Sequence, residues 1–420
     1  MRDRTQPKIK ISSLASLPLL FCSVLWLVLS LPATAADNNT KKPNPNQFPP
    51  NPLELRTLDP LIPRTRRDKR PLTEEELAQL APALDGLNAE AAAKLQAGDE
   101  KGAFETWYRE LRLRRYQGLL PEVQALSRVG GVAWDRNLSE DVQYITKRLQ
   151  TIQQAQLKLP VDLNLLRSLA TAFEQVKSPD WAVKVYEQIL AVTRSQQDAA
   201  QEEALLLKIA ELSVSWFDYS KAVSAYQELA RLAQEKGDSV KQVTYLKQLA
   251  YLYGKDNQIE KAIKAKQQLI EFYRNEKDFV QIPTIQLEIG SAYEAIGQLE
   301  QAVQSYQETY AFAWSIQQYS SAADALRKLV AVQRSQKQIN PALETYQVLL
   351  QADYLAHNFY GMMNTYDEVG QIYLENKNYP QALSAFQKGL ELAKQLKYRE
   401  AYFARQIQDC LLYTSDAADE

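Results

Sequence analysis

Trp216-Phe217-Asp218-Tyr219-Ser220-Lys221-Ala222-Val223-Ser224-Ala225-Tyr226 reads as a turn entering a helix, and its theme recurs along the chain. Ala222 belongs to a ladder of six alanines, Ala182, Ala222, Ala262, Ala302, Ala342 and Ala382, at an unvarying step of forty residues. Four positions after each stands a large side chain: Tyr186, Tyr226, Lys266, Tyr306, Tyr346 or Phe386, with Lys266 the polar exception. Twelve positions before each stands Ala170, Ala210, Ala250, Gly290, Val330 or Gly370, small in five of six cases. So strict a period marks a stacked-repeat architecture.

Helix pairing explains the spacing. Leu206, Ile209 and Ala210, then Ala222, Val223, Tyr226 and Leu229, follow three- and four-residue steps, which describes two amphipathic helices per unit. Small residues at the crossing let the backbones approach, and the aromatic ring fills the space beside them. Lys177-Ser178-Pro179-Asp180, Asp218-Tyr219-Ser220, Asp256-Asn257-Gln258 and Asn376-Lys377-Asn378 supply turns within units. One pair buries too little apolar surface to stand alone, so the units share a core.

The Trp216–Tyr226 stretch resembles the tetratricopeptide repeat family. So do Asn378-Tyr379-Pro380-Gln381-Ala382-Leu383-Ser384-Ala385-Phe386 and the first-helix residues Leu246, Leu249, Ala250 and Tyr253, or Ile289, Gly290 and Tyr293. The resemblance runs from Pro160 to Tyr398 and implies an all-α, right-handed superhelical solenoid of antiparallel helix pairs. That family's usual period is about 34 residues. Because the twelve-residue gap matches, the excess is expected after the alanine, in the second helix or the turn leaving it. Six units are expected over 160–398, preceded by two degenerate ones over 77–159, where Ala103 and Trp107 repeat the four-residue offset. Residues 399–409 read as the start of a further helix. Cys410-Leu411-Leu412-Tyr413-Thr414-Ser415-Asp416-Ala417-Ala418-Asp419-Glu420 breaks the pattern and resembles a translated sequencing-library adapter.

The other end reads as a targeting segment. Arg2, Arg4, Lys8 and Lys10 precede the apolar run Leu19 to Leu31, and Pro32-Ala33-Thr34-Ala35-Ala36 offers A-x-A positions with cleavage expected after Ala35. A retained leader would instead serve as a short membrane anchor. Cys22 reads as an apolar leader residue, because Phe21 before it is too bulky for a lipidation site. Residues 36–76, rich in Pro and Asn, read as a disordered linker.

With a net charge of −2 and a pI near 5.9, the chain lacks the field of a nucleic-acid binder. The single histidine, His357, lies at a turn between units, and Gly130-Gly131 has no following Lys-Ser or Lys-Thr. No catalytic, cofactor or metal site is expected. With Cys22 in the leader and Cys410 in the adapter-like tail, no disulfide framework is expected either.

In the family it resembles, first helices line a concave groove that holds peptides. The implied groove residues are Asn164, Arg167 and Thr171; Leu207 and Glu211; Thr244, Lys247 and Tyr251; Thr284 and Leu287; Asp324 and Arg327; Asn364, Asp367 and Gln371. One subfamily clamps the carboxylate tails of heat-shock chaperones with lysine and asparagine. The matching sites here carry Arg167 and Thr171, then Lys208, without the asparagines. A second candidate surface, suited to an acidic partner, combines Trp107 and Tyr108 with Arg112 and Arg115. The whole chain is similar to exported tetratricopeptide proteins of bacteria, with a cyanobacterial flavour in Leu55 to Pro60 and Glu105 to Tyr108. The expected role is a protein-binding scaffold or assembly factor in the periplasm or thylakoid lumen. The alternatives are a membrane-tethered adaptor, if the leader is retained, or the interaction region of a longer enzyme or regulator.

Overall fold

The structure, a computed structural model, describes residues 51–55, 58–62 and 70–419; the leader expectation lies outside them. Seventeen α-helices and no strand occur among the described residues. The helices α1 (Glu74–Gln96) and α2 (Glu100–Arg114) form the first antiparallel pair, and α3 (Leu119–Asp135) and α4 (Ser139–Gln156) the second. Then come α5 (Leu163–Gln175) with α6 (Pro179–Ser195), α7 (Ala199–Ser215) with α8 (Tyr219–Glu235), and α9 (Ser239–Lys255) with α10 (Ile259–Asn275). The array continues through α11 (Ile282–Ala295) with α12 (Leu299–Ser315), α13 (Tyr319–Ser335) with α14 (Ile339–Leu355), and α15 (Phe359–Glu375) with α16 (Tyr379–Leu396). A last helix, α17 (Glu400–Asp419), packs on α16.

The backbone repeats at half the sequence period. Left-handed φ values fall every twenty residues, at Lys177, Gln197, Phe217, Gly237, Asn257, Lys277, Gly297, Gln317, Lys337, His357, Lys377 and Lys397. Each lies in the turn that follows a helix, and at all but Lys277 and Lys397 the next residue is the N-cap of another α-helix. At the α7–α8 turn the Asp218 N–H donates to the Ser213 carbonyl at 2.9 Å and the Phe217 N–H to Val214 at 3.1 Å, which satisfies two orphan carbonyls. The carboxylate of Asp218 then accepts from the Lys221 N–H, and Asp198, Asp238, Asn358 and Asn378 cap their helices in the same way. The helices α7, α8, α9 and α10 all have 17 residues. The excess over the family's period is therefore not confined to the second helix, and the turn between α8 and α9 matches the one within α7 and α8.

Ten of these twelve left-handed positions carry a side chain. The conformation costs a non-glycine residue roughly 1 kcal/mol. Lys337→Gly at an exposed turn should therefore stabilise the protein by about 0.5 to 1 kcal/mol, and Gly237→Ala should destabilise it by a similar amount. Paired thermal midpoints check both signs.

All six ladder alanines are buried at the crossings. A Cβ on Gly370 would lie 2.5 Å from Cε1 of Phe386, and one on Gly290 would overlap the Tyr306 ring, so these rings occupy the space a side chain would need. Gly130 has the same cause: a Cβ there would come 2.5 Å from Cγ1 of Val176, where α3 meets α5. Lys266, the polar rung, reaches from α10 to Glu288 on α11 at 2.8 Å.

Both ends differ from the sequence reading. Helix α1 begins at Glu74, inside the stretch expected to be linker, because Thr73 and Glu76 form a capping box. Pro52–Glu54 form a 3₁₀ turn, Leu53 and Ile62 are buried, and Leu53 joins the main core. This part of the expected linker is an ordered strap. At the other end α17 continues to Asp419 through the adapter-like stretch, with Cys410 buried beside Phe403.

Candidate protein-binding site

A helix repeats every 3.6 residues, so positions i, i+3 and i+7 of each first helix share a face. On α5, α7, α9, α11, α13 and α15 that face carries three rows at forty-residue steps. Asn164, Ala204, Thr244, Thr284, Asp324 and Asn364 form the first row, and all are exposed. Arg167, Leu207, Lys247, Leu287, Arg327 and Asp367 form the second, exposed or half-buried. Thr171, Glu211, Tyr251, Ser291, Ala331 and Gln371 form the third.

The rows are open at one end and occupied at the other. On α5, Arg167 and Thr171 line a cleft of about 270 Å³ with Gln124, Ser127 and Ser168, and the Arg167 guanidinium has no ion pair among the described residues. On α9, Tyr251 is exposed with the Lys255 ammonium 5.4 Å from its ring centre, and Lys247 lies 5.7 Å from that of Tyr273. Neighbouring first helices are bridged at their edges: Lys208 reaches Glu174 at 2.9 Å, and Glu203 accepts from Lys241 at 2.6 Å and Tyr245 at 2.9 Å. The Lys241 bond holds the Glu203 carboxyl below its ordinary pKa.

Arg327, Asn364 and Asp367 are engaged by their own chain. Arg327 pairs with Asp324 at 2.9 Å and with the fully buried Asp353. Asp367 accepts from Arg399 and from the Tyr402 hydroxyl, both at 2.8 Å, and Arg399 also reaches Asn364 at 3.4 Å. Gln371 donates to Gln406 at 2.9 Å. These contacts seat α17 against α15.

The second candidate surface is largely engaged by its own chain. Trp107 and Tyr108 are buried. Arg112 donates to the Pro52 carbonyl at 2.7 Å, and Arg109 grips Asp59 at 2.7 and 2.9 Å, which holds that carboxyl below its ordinary pKa. Arg115 lies 3.6 Å from Glu54 and 3.1 Å from Glu122. The acidic partner expected for this stripe is the chain's own strap. Two buried carboxylates escaped the sequence reading: Glu110, held by Arg114 and Arg128, and Glu122, held by Arg115 and Arg148. On an amphipathic helix such residues look solvated, and no sequence signal singles them out.

His357 is exposed at its turn, in the left-handed conformation. No group of three His, Cys, Asp or Glu side chains placed to hold a metal occurs among the described residues, and no helix among them is long and apolar enough to cross a membrane.

The tetratricopeptide repeat family model matches residues 283–308 and 364–396. Two units fall under this match. They are α11–α12 and α15–α16, the units whose crossing residue is glycine and whose rings, Tyr306 and Phe386, are fully buried. No curated protein matches the chain. Among solved structures, aspartyl phosphate phosphatase F from Bacillus subtilis is similar at 12% identity, covering 70% of this chain and 84% of its own, with a TM-score of 0.36. The apo form of RapI is similar at 11% identity, covering 80% and 99%, with a TM-score of 0.33. The kinesin light chain-like repeats from Podosopora anserina are similar at 19% identity, covering 45% and 97%, with a TM-score of 0.29.

Proposed function

We propose that this chain is a non-enzymatic protein-binding scaffold that holds a partner polypeptide along the first helices α5, α7 and α9. The observation that carries this reading is the open stretch of the three rows. There Arg167, Lys247 and Tyr251 are solvent-facing, in register, and free of the contacts that occupy the same rows at α13 and α15. Polar side chains at aligned steps suit an extended backbone, and an exposed tyrosine beside cations suits an aromatic or acidic anchor. The reading includes export to the periplasm or thylakoid lumen, which rests on the basic, apolar and A-x-A layout of residues 1–36.

The triple variant Arg167→Ala, Lys247→Ala, Tyr251→Ala tests it. All three side chains are exposed, so folding should be unaffected. Partner recovery by the full chain, quantified against wild type, should correspond to at least ten-fold weaker binding, about 1.4 kcal/mol. Unchanged recovery would remove the groove from the proposal.

A further inference from the structure

The turn period fails at the connection between α4 and α5. Residues 157–162 take six positions, where three join α6 to α7 and α7 to α8. The Gln156 amide donates to the Pro160 carbonyl at 2.8 Å, which fixes the loop. Its three large apolar residues face solvent, Leu157 at 66%, Leu159 at 51% and Val161 at 63% exposure. Helix α5 packs mainly on α3 and α6 and only lightly on α4. An open cleft of about 390 Å³ lies between α4 and α6.

Its apolar surface comes from Leu157 on one side and Trp181 and Ala191 on the other, with Phe173 stacked behind Trp181 at 6.0 Å, and Gln154, Lys184, Glu187 and Gln188 complete the rim. Gln153 also lines it. That side chain is only 2% exposed, and its Oε1 has no hydrogen-bond partner among the described residues. A buried acceptor left unpaired is costly, so an occupant that donates to it is favoured over one that does not. The Lys184 ammonium sits 4.3 Å from the Trp181 ring centre and Glu187 lines the same cleft, so its one cation and one anion leave no net charge to favour an ionic occupant. An apolar body with a single uncharged donor fits these walls, and among amino-acid side chains that describes tryptophan and tyrosine.

We propose that the α4–α6 cleft binds a tryptophan or tyrosine side chain of a partner polypeptide, whose N–H or O–H donates to Gln153. The exposed apolar loop 157–161 flanks the site and would be covered by the residues beside that anchor. This surface is separate from the first-helix rows.

The full chain, labelled with ¹⁵N in its indole groups, is titrated with N-acetyl-tryptophanamide and with the naphthylalanine amide, which keeps the bulk and lacks the donor. The Trp181 resonance, assigned through Trp181→Phe, should move saturably. The naphthyl probe should bind roughly five-fold more weakly, the worth of one neutral hydrogen bond. Gln153→Leu should erase the difference between the probes while keeping the thermal midpoint at or above wild type. Leu157→Ser, at an exposed position, should weaken both probes. Free tryptophan, with two added charges, should bind less tightly than the blocked probe. A Trp181 signal that does not saturate, a Gln153→Leu protein that still prefers indole, or tighter binding of free tryptophan would each overturn the proposal.

Discussion

Arg327→Ala is expected to destabilise the α13–α14 unit by about 3 to 4 kcal/mol at pH 7, and by much less near pH 4. Asp353 on α14 is fully buried, its Oδ2 has no hydrogen-bond partner among the described residues, its charge is balanced by Arg327, and its Oδ1 accepts from the Asn358 amide at 2.9 Å. Removing the guanidinium leaves a buried carboxylate with no counter-charge. The cost has a ceiling, because the carboxyl can take up a proton instead: from its ordinary 3.8 to pH 7 that limit is about 4 kcal/mol. The sign follows from the direction of the shift. Burial already raises the Asp353 pKa in the folded protein, against the pull of Arg327 and Asn358. A raised folded pKa gives stability that is fully present below the unfolded value and lost as pH rises through the folded one. Loss of Arg327 enlarges that shift, so the defect should grow from acid to neutral pH. Amide exchange protection in α13 and α14 at the two pH values measures it, and Asp353→Asn in the same background should recover most of the loss. An equal defect at both pH values would mean that Arg327 acts by packing alone. It also follows that Arg327→Ala cannot serve as a binding variant.

Phe386→Ala should cost about 3 to 5 kcal/mol, the range for emptying a buried phenylalanine site. The ring is fully buried, and it lies against Gly370, which has no side chain to relax into the hole. In a stacked array each unit is stabilised chiefly by its neighbours. Exchange protection should therefore fall in α15, α16 and α17 and remain at wild-type levels in α5 to α10. A uniform loss along the chain would show that the array unfolds as one unit. Gly370→Ala should cost less, about 1 to 3 kcal/mol, through overpacking against the same ring.

The crossings were legible because they depend on size alone: a small residue, twelve positions, an alanine, four positions, a ring. The turns were legible too, but at a period that the alanine ladder hides. Asp198, Asp218, Asp238, Asn358 and Asn378 stand one after each left-handed residue, so the capping side chains carry the twenty-residue repeat. The three first-helix rows were legible in position and not in availability. Lys247 and Arg327 hold equivalent places, and nothing in the local sequence distinguishes the exposed lysine from the arginine that neutralises Asp353. The stripe around Arg112 misled for the same reason, since its partner lies 60 residues away at Pro52.

By itself, the sequence determined that the chain is an all-α stack of helix pairs, which residues make each crossing, and where the turns fall. Those are local matters, settled by side-chain volume, helical periodicity and capping within a few residues. Only the tertiary structure decided which polar groups of the rows are exposed and which are already paired, that residues 51–55 and 58–62 seat on α2, and that α4 and α6 part to leave a cleft beside Gln153, whose Oε1 has no hydrogen-bond partner among the described residues. These depend on distances between residues far apart in the chain, where a charge or an amide has the same sequence signature whether its partner is water, a second protein or the other end of the same fold.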